Sequence, residues 1–401
     1  MSAGSGTAVL PESTPVRGLS AIAGAWTLML HGDAYLQARV ETASPHHRGR
    51  GVSSVNWAML VASRQIGAGR LTLRTMLSAE PFTMPRCGYP DMLATGELCN
   101  GDSIHDRQHP HDLVMELAAS YERPLTSRIR LQLYGGPVGE PALGPPAFLH
   151  RPSSDGNPVA PIGHHWLDSS HVSSGVFTVA LDGRRWSVDG SLFNGREPDD
   201  RRVNLERGPF DSQSLRVSLK LSRAHVLQLS GGHLHDAEAG IGTLPRMNVN
   251  RVTASFITVQ RWRNRTSAAT AAWGMRWGPT NIGVTLAEQS SHAGLLEWSL
   301  IGTSDGWFAR AEMVGKPAHD LHADEFAPSI FTVGKGQVGY QRRLTSSRGM
   351  TAWLGATLSA GALPPLLAPR YEGRIAPGGG IFLRVTPASS PEHAHVHALS
   401  P

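Results

Sequence analysis

The sequence predicts an all-β chain, a transmembrane antiparallel up-and-down β-barrel of sixteen strands with short periplasmic turns and long extracellular loops. Three observations carry that prediction. Apolar and polar residues alternate with period two in one segment after another. Each segment is about the 9–11 residues that a tilted strand needs to cross a bilayer. Short and long connections then alternate along the chain, for which a soluble sandwich has no reason.

Composition sets the frame. Of 401 residues 40% are apolar and 17% charged, with a mean hydropathy of -0.20. That is too apolar for disorder and too polar for a helical membrane protein, and no stretch approaches the ~20 apolar residues of a membrane helix. The 44 glycines and 28 prolines imply many turns. The net charge is +5, but the 37 Lys and Arg residues are scattered. They form no basic stripe of the kind a nucleic-acid binder carries, so nucleic acid is not an expected partner.

The first strand shows the alternation best. Trp26, Leu28, Leu30, Gly32, Ala34, Leu36, Ala38 and Val40 form a lipid-like face, opposed by Thr27, Met29, His31, Asp33, Tyr35, Gln37, Arg39 and Glu41. Similar runs follow at 52–64, 68–80, 112–122, 127–136, 170–182, 184–196, 211–223 and 225–237. The rest lie at 247–262, 266–277, 294–303, 306–315, 331–344, 348–360 and 378–387. Tight links such as Asp182-Gly183 and Ser346-Ser347 alternate with connections of roughly nine to more than thirty residues. Closure would remove the exposed sheet edges that so many strands otherwise leave. The alternative, a soluble secreted β-protein, also alternates, but no blade-length repeat is visible and the outward faces carry consecutive apolar positions.

The expected division is a disordered N-terminal extension at 1–22, one barrel domain at 23–388 and a disordered tail at 389–401 with His393, His395 and His397. The first residues have neither a basic n-region nor an apolar h-region. Because the rest argues for export to the bacterial outer membrane, this suggests a processed chain or a misassigned start codon.

With the apolar faces toward lipid, the lumen receives His31, Asp33, Arg39, Arg74, Glu116, Arg128, Arg130, Arg216, Lys220, Arg310 and Glu312. Both signs occur, with arginine in excess. Such a lining suits a water-filled pore favouring anions; equally, the charges could pair to solvate a sealed interior.

Histidine is concentrated in the connections. Fourteen of the nineteen, His46 and His47 among them, lie in long loops or beside them, which predicts imidazoles at the extracellular mouth. Two segments are dense enough to be sites. DRQHPHD supplies His109, His111 and Asp112, with the two histidines facing the same way on an extended chain. GHHWLDSSH supplies His164, His165, Asp168 and His171. Neutral imidazoles beside a carboxylate suit a divalent transition metal such as Zn(II), Cu(II) or Ni(II), and an Asp can orient a ligating histidine from behind. No HExxH or metal-finger spacing occurs, so loop architecture at the mouth is the competing reading. FNGREPDDRR, 193–202, reads as a salt-bridged loop base without chemistry. Cys87 and Cys99, twelve apart in one loop, read as a local disulfide of an oxidising compartment, the alternative being two free thiols.

DRQHPHD followed by LVMELAASY, GHHWLDSSH followed by GVF, and FNGREPDDRR resemble a family of uncharacterised bacterial outer-membrane β-barrel-type proteins often encoded beside metal-resistance genes. The resemblance runs from about Gly18 to the last strand. It implies a barrel and a loose link with heavy metals, and brings no established activity or site residues.

The leading functional expectation is a pore for small solutes embedded in membrane lipid, with histidine-rich loops at its mouth. The alternative is a metal-ion binding or uptake protein. A hydrolase using Ser170, Asp168 and His171 ranks below both, since no GxSxG elbow is present. The oligomeric state is left open.

Overall fold

The computed structural model describes residues 4–43, 47–238, 245–282 and 285–388. His46 and the tail histidines His393, His395 and His397 lie outside them.

All sixteen strands expected from the alternation are present. They are β2 (Trp26–Glu41), β3 (Gly49–Ile66), β4 (Gly69–Leu77), β7 (Val114–Pro124), β8 (Ile129–Gly139), β9 (Ser173–Gly183), β10 (Trp186–Phe193) and β11 (Ser212–Lys220). There follow β12 (His225–Glu238), β13 (Met247–Trp262), β14 (Arg265–Ile282), β15 (Thr285–Ile301), β16 (Asp305–Pro317), β17 (Ile330–Ser347), β18 (Met350–Ala362) and β19 (Ile375–Pro387). Each pairs antiparallel with its neighbours, and β19 closes onto β2 from Gly378↔Glu41 to Val385↔Ala34.

A short strand, β1 (Leu19–Ala23), was not expected, because 1–22 read as a loose extension. It pairs with β2 from Leu19↔Leu30 to Ala23↔Trp26, the part of β2 that β19 does not reach. β1 thus covers part of the stretch of β2 that β19 leaves open at the seam. The preceding residues are also ordered: Ser5 and Thr7 are buried, with Ser5 on Glu140 and Thr7 beside Asp189 and Arg216. The N-terminal segment is therefore threaded into the lumen. Short polar residues let it hydrogen-bond to buried charged groups of the wall and of the following loop.

Two further elements lie in the long β4–β7 connection, β5 (Tyr89–Cys99) and β6 (Asp102–Gln108), which pair only with each other. They escaped the alternation because bulges interrupt their pairing between Pro90 and Thr95 and again before Leu98. Strand limits also move. The run at 68–80 stops at Leu77 because Pro81 opens the single-turn helix α1 (Glu80–Thr83). The run at 170–182 begins at Ser173, since 169–171 form a 3-10 turn.

Outward side chains such as Leu36, Leu60, Leu215, Leu229, Leu296, Leu354, Leu358 and Ile381 are exposed, while their strand neighbours face inward and are buried. That is the lipid-facing band of an outer-membrane barrel. No helix among the described residues is long and apolar enough to span a membrane.

The expected lumen charges mostly hold structure inside the barrel. Arg216 binds Asp189 at 3.1 Å, Arg39 binds Glu41 at 2.8 Å and Arg384 binds Asp33 at 2.6 Å. Three expected lining residues do not belong to the lumen's middle. Arg128 sits in the β7–β8 turn, Arg130 is exposed beside Glu122, and Lys220 ends β11 near Asp182. Alternation gives a residue's face but not its height, and these three lie at the periplasmic rim.

Candidate functional site

The β8–β9 connection, 140–172, is buried at nearly every residue. Six prolines and an absence of period-two patterning keep it out of the sheet. The barrel wall holds it instead. Arg151 Nε donates to Glu297 Oε2 at 2.7 Å, and Arg310, on the neighbouring strand, donates to Glu297 Oε1 and to Val159 O at 2.7 Å. The backbone N–H groups of Ile162 and Gly163 donate to Glu312 at 3.2 and 3.0 Å. Asp155 takes Arg384 at 2.7 Å. The loop ends in a single-turn helix, α2 (His164–Leu167), whose Trp166 is buried and donates to Ser291 Oγ at 2.8 Å.

The β4–β7 connection folds inward onto it. Cys87 and Cys99 are joined in a disulfide, with Cα atoms 5.5 Å apart. Lys335 reaches in to Asp91 at 2.5 Å and Lys316 to Thr95 at 2.7 Å. Met92, Leu93, Ile162, Trp166, Leu167, Leu321, Leu363 and Tyr371 pack with wall residues such as Leu295 and Val333 into one apolar core. That core caps the extracellular end. Beneath it a cavity of about 120 Å³ is lined by Arg17, His31, Asp33, Trp57, His150 and Arg384, among others.

Where the two loops meet, five histidines converge. Ring centroids are 6.2 Å apart for His109–His111, 6.4 Å for His109–His165, 5.6 Å for His164–His165, 5.1 Å for His164–His171 and 5.4 Å for His111–His171. Each has one nitrogen held from behind. Nδ1 of His111 donates to Glu80 (2.9 Å), of His164 to Asp168 (2.8 Å), of His165 to Glu197 (3.0 Å), of His171 to Asp168 O (2.8 Å) and of His109 to Pro110 O (3.0 Å). Nε2 of His111 and of His171 is buried with no hydrogen-bond partner. One ligand atom each from Glu97, His109 and His165 lies within 4.8 Å of the other two.

Burial dominates the protonation of this cluster. It pushes His164 down to about 4 and His165 to about 3, outweighing Asp168 and Glu97, and it lowers His171 as well, with His164 and His111 adding to the effect. These imidazoles are neutral at neutral pH. His111 goes the other way, because Glu80 more than offsets its burial. Burial opposes ionisation of Glu97 and Asp168 too, but Arg202 and His109 on the one, and His164 and Arg151 on the other, hold both well below the usual carboxylate range.

The structure thus brings together His109, His111, His164, His165 and His171. His109 and His111 both point into this cluster, their ring centroids 6.2 Å apart, one ring meeting Glu97 and the other Glu80. Asp112 stands apart beside Arg202 at 3.5 Å, and burial raises it to about 6. Asp168 orients His164 and receives Arg151 at 2.9 Å. It does not orient His171 through its carboxylate, so no Ser170–His171–Asp168 triad is assembled. Sequence reasoning missed Glu80, Glu97, Glu197 and Arg202. The last two sit in FNGREPDDRR, read above as a loop base; the alternating charge there was the only available signal.

A second group, His47, His105 and Asp106, meets at the mouth, with His47 Nδ1 2.7 Å from Asp106 and its ring stacked on Tyr371 at 3.8 Å. Most other loop histidines do not join either site; His292 faces outward against Trp273.

No protein-family model matches the chain, and no curated relative matches it in sequence. Solved structures do match, in fold. OmpF of Salmonella typhi, in complex with daunomycin, superposes with a TM-score of 0.53 at 11% identity, covering 91% of this chain and 100% of its own. An anion-selective porin from Comamonas acidovorans gives 0.52 at 8% identity, covering 90% and 99%. A loop-deletion variant of OmpT, an outer membrane protein of Vibrio cholerae, gives 0.50 at 10% identity, covering 90% and 99%. The chain has the closed sixteen-strand antiparallel architecture of porin-type barrels of the bacterial outer membrane.

Proposed function

We propose that the chain is an outer-membrane channel for small solutes, held shut in the described conformation by the loop 140–172 and the apolar core above it. The observation that supports this reading most is the tethering of that loop by charged wall residues, Glu297 on Arg151 and Arg310 on Val159 O above all, over a cavity reaching the periplasmic half. A loop held by ion pairs can be released without unfolding the wall. Planar-bilayer conductance tests it. Wild type is expected to show rare, brief openings, and Arg151→Met more frequent ones. Correctly inserted protein that stays silent in both forms would overturn the channel.

A second reading, binding or uptake of a divalent transition-metal ion, is favoured by the five imidazoles that converge on the loop contact. The resemblance to proteins encoded beside metal-resistance genes agrees with it. A hydrolase has the least support, because Asp168 is committed to His164 and Arg151.

A further inference from the structure

We infer that Glu97, His109 and His165 form a binding site for a borderline divalent ion of the Zn(II), Cu(II) or Ni(II) class, built where the β4–β7 and β8–β9 loops meet inside the barrel. This deepens the metal reading and is independent of whether the barrel conducts.

The three residues come from separate segments: Glu97 from β5, His109 from the chain leaving β6, His165 from α2. One carboxylate oxygen and two imidazole nitrogens are a donor set that suits these ions, and three protein ligands leave a fourth position for water or another ligand. Their donor atoms already lie within 4.8 Å of one another. A tetrahedral ion with bonds of about 2.0–2.1 Å spaces its donors about 3.3 Å apart, so none needs to move by more than about 1.5 Å.

Each ligand is supported from outside, as metal-ligating histidines usually are. His165 donates from Nδ1 to Glu197, His109 donates from Nδ1 to Pro110 O, and Arg202 binds the other oxygen of Glu97. These contacts fix both rings with Nε2 available for the site. His109 Nε2 lies 2.8 Å from Glu97 Oε1, so the imidazole nitrogen and the carboxylate oxygen already face each other across the site. A cation between them would satisfy both. The close approach of the loops is also specific. A Cβ on Gly96, at φ +115°, would stand 2.6 Å from His165 Nε2, so only glycine lets β5 pass this near the imidazole.

The test uses the full chain refolded in detergent micelles, with His393, His395 and His397 replaced by alanine so that the tail contributes no imidazole. The probe is Co(II) alone, whose four-coordinate complexes absorb strongly in the visible, followed by displacement with Zn(II). One Co(II) per chain with a four-coordinate spectrum is expected. Glu97→Gln, His109→Gln and His165→Gln should each abolish that spectrum. Glu197→Gln should weaken binding by about 10–100-fold, as loss of an outer partner does. His105→Gln, at the mouth, should change nothing. Each variant is first shown to keep the circular dichroism and SDS resistance of the closed barrel, so that lost binding is not lost fold. Folded wild type that binds no Co(II) would overturn both this site and the metal reading. Binding that survives the three ligand variants but disappears in His105→Gln or His111→Gln would overturn the site and leave the metal reading standing.

Discussion

Arg151 and Glu297 meet at 2.7 Å inside the barrel, one on the inner loop and one on β15, both excluded from solvent. Arg310 approaches the same carboxylate and Asp168 the same guanidinium, so four charges form one chain from wall to loop. Such a network is held by desolvation as much as by attraction: once one partner is removed, the others remain buried and unbalanced.

Arg151→Met is therefore expected to destabilise the inner loop by about 3–5 kcal/mol, the usual range for breaking a buried pair. Limited proteolysis reads this directly. Cleavage within 140–172 should appear in the variant while the sheet stays intact, and equal resistance in both proteins would refute it.

Glu140 should make the N-terminal segment sensitive to pH. Burial pushes its carboxyl up to about 8, with Arg216 and the Ser5 hydroxyl opposing and Glu116 and Asp168 reinforcing. Released to water, it ionises near its ordinary 4.5. Between those values the released state carries fewer protons, so the contact is fully stable below about 4.5 and weakens as pH rises to about 8. Hydrogen exchange over residues 4–16, corrected for intrinsic rate, should speed up at least about tenfold from pH 5 to 9, one pKa unit being tenfold. Glu140→Gln should flatten that dependence.

Two glycines separate backbone strain from crowding. Gly144 has φ +86°, and a Cβ there would fall 2.1 Å from Leu167 O. Gly67, in the β3–β4 turn, has φ +58° with open space around it. Gly67→Ala should cost on the order of 1 kcal/mol, whereas Gly144→Ala must also displace α2 and should cost more. Urea unfolding from lipid vesicles would rank them; the reverse order would contradict the placement of the loop against α2.

Leu296→Arg tests the lipid face. Leu296 is 63% exposed, within the apolar band of β15. Arginine near the bilayer midplane costs about 2–4 kcal/mol in such barrels. The loss should be seen by unfolding from vesicles, and Arg128→Ala at the rim should be nearly neutral.

Sequence and structure divide the explanation between them. Period-two alternation was enough to find all sixteen wall strands, because a strand between lipid and lumen must alternate whatever its neighbours are. Leu36 and Arg39 could be assigned to opposite faces by counting. The alternation of tight and long links was likewise legible, except between β14 and β15, where a long link was expected and the strands instead stay paired out to Ile282↔Thr285. The histidine-rich segments could be named, though not placed. Glu97, Glu197 and Glu80 could not be attached to them, because no local spacing ties them to His109, His165 or His111: Glu80 lies 31 residues before His111 and Glu197 lies 32 after His165.

What the sequence by itself determined is the wall: its strand number, its faces and the side from which the long loops leave. What only the tertiary structure decided is the interior. A closed sixteen-strand barrel leaves room that water, loops or the N-terminal segment could fill, and local pattern does not distinguish among them. The choice rests on contacts distant in sequence, such as Arg151 with Glu297 and Thr7 with Arg216. They form because charges forced inward by the alternation need partners, and the nearest available ones are carried by the loops and the threaded N-terminal segment.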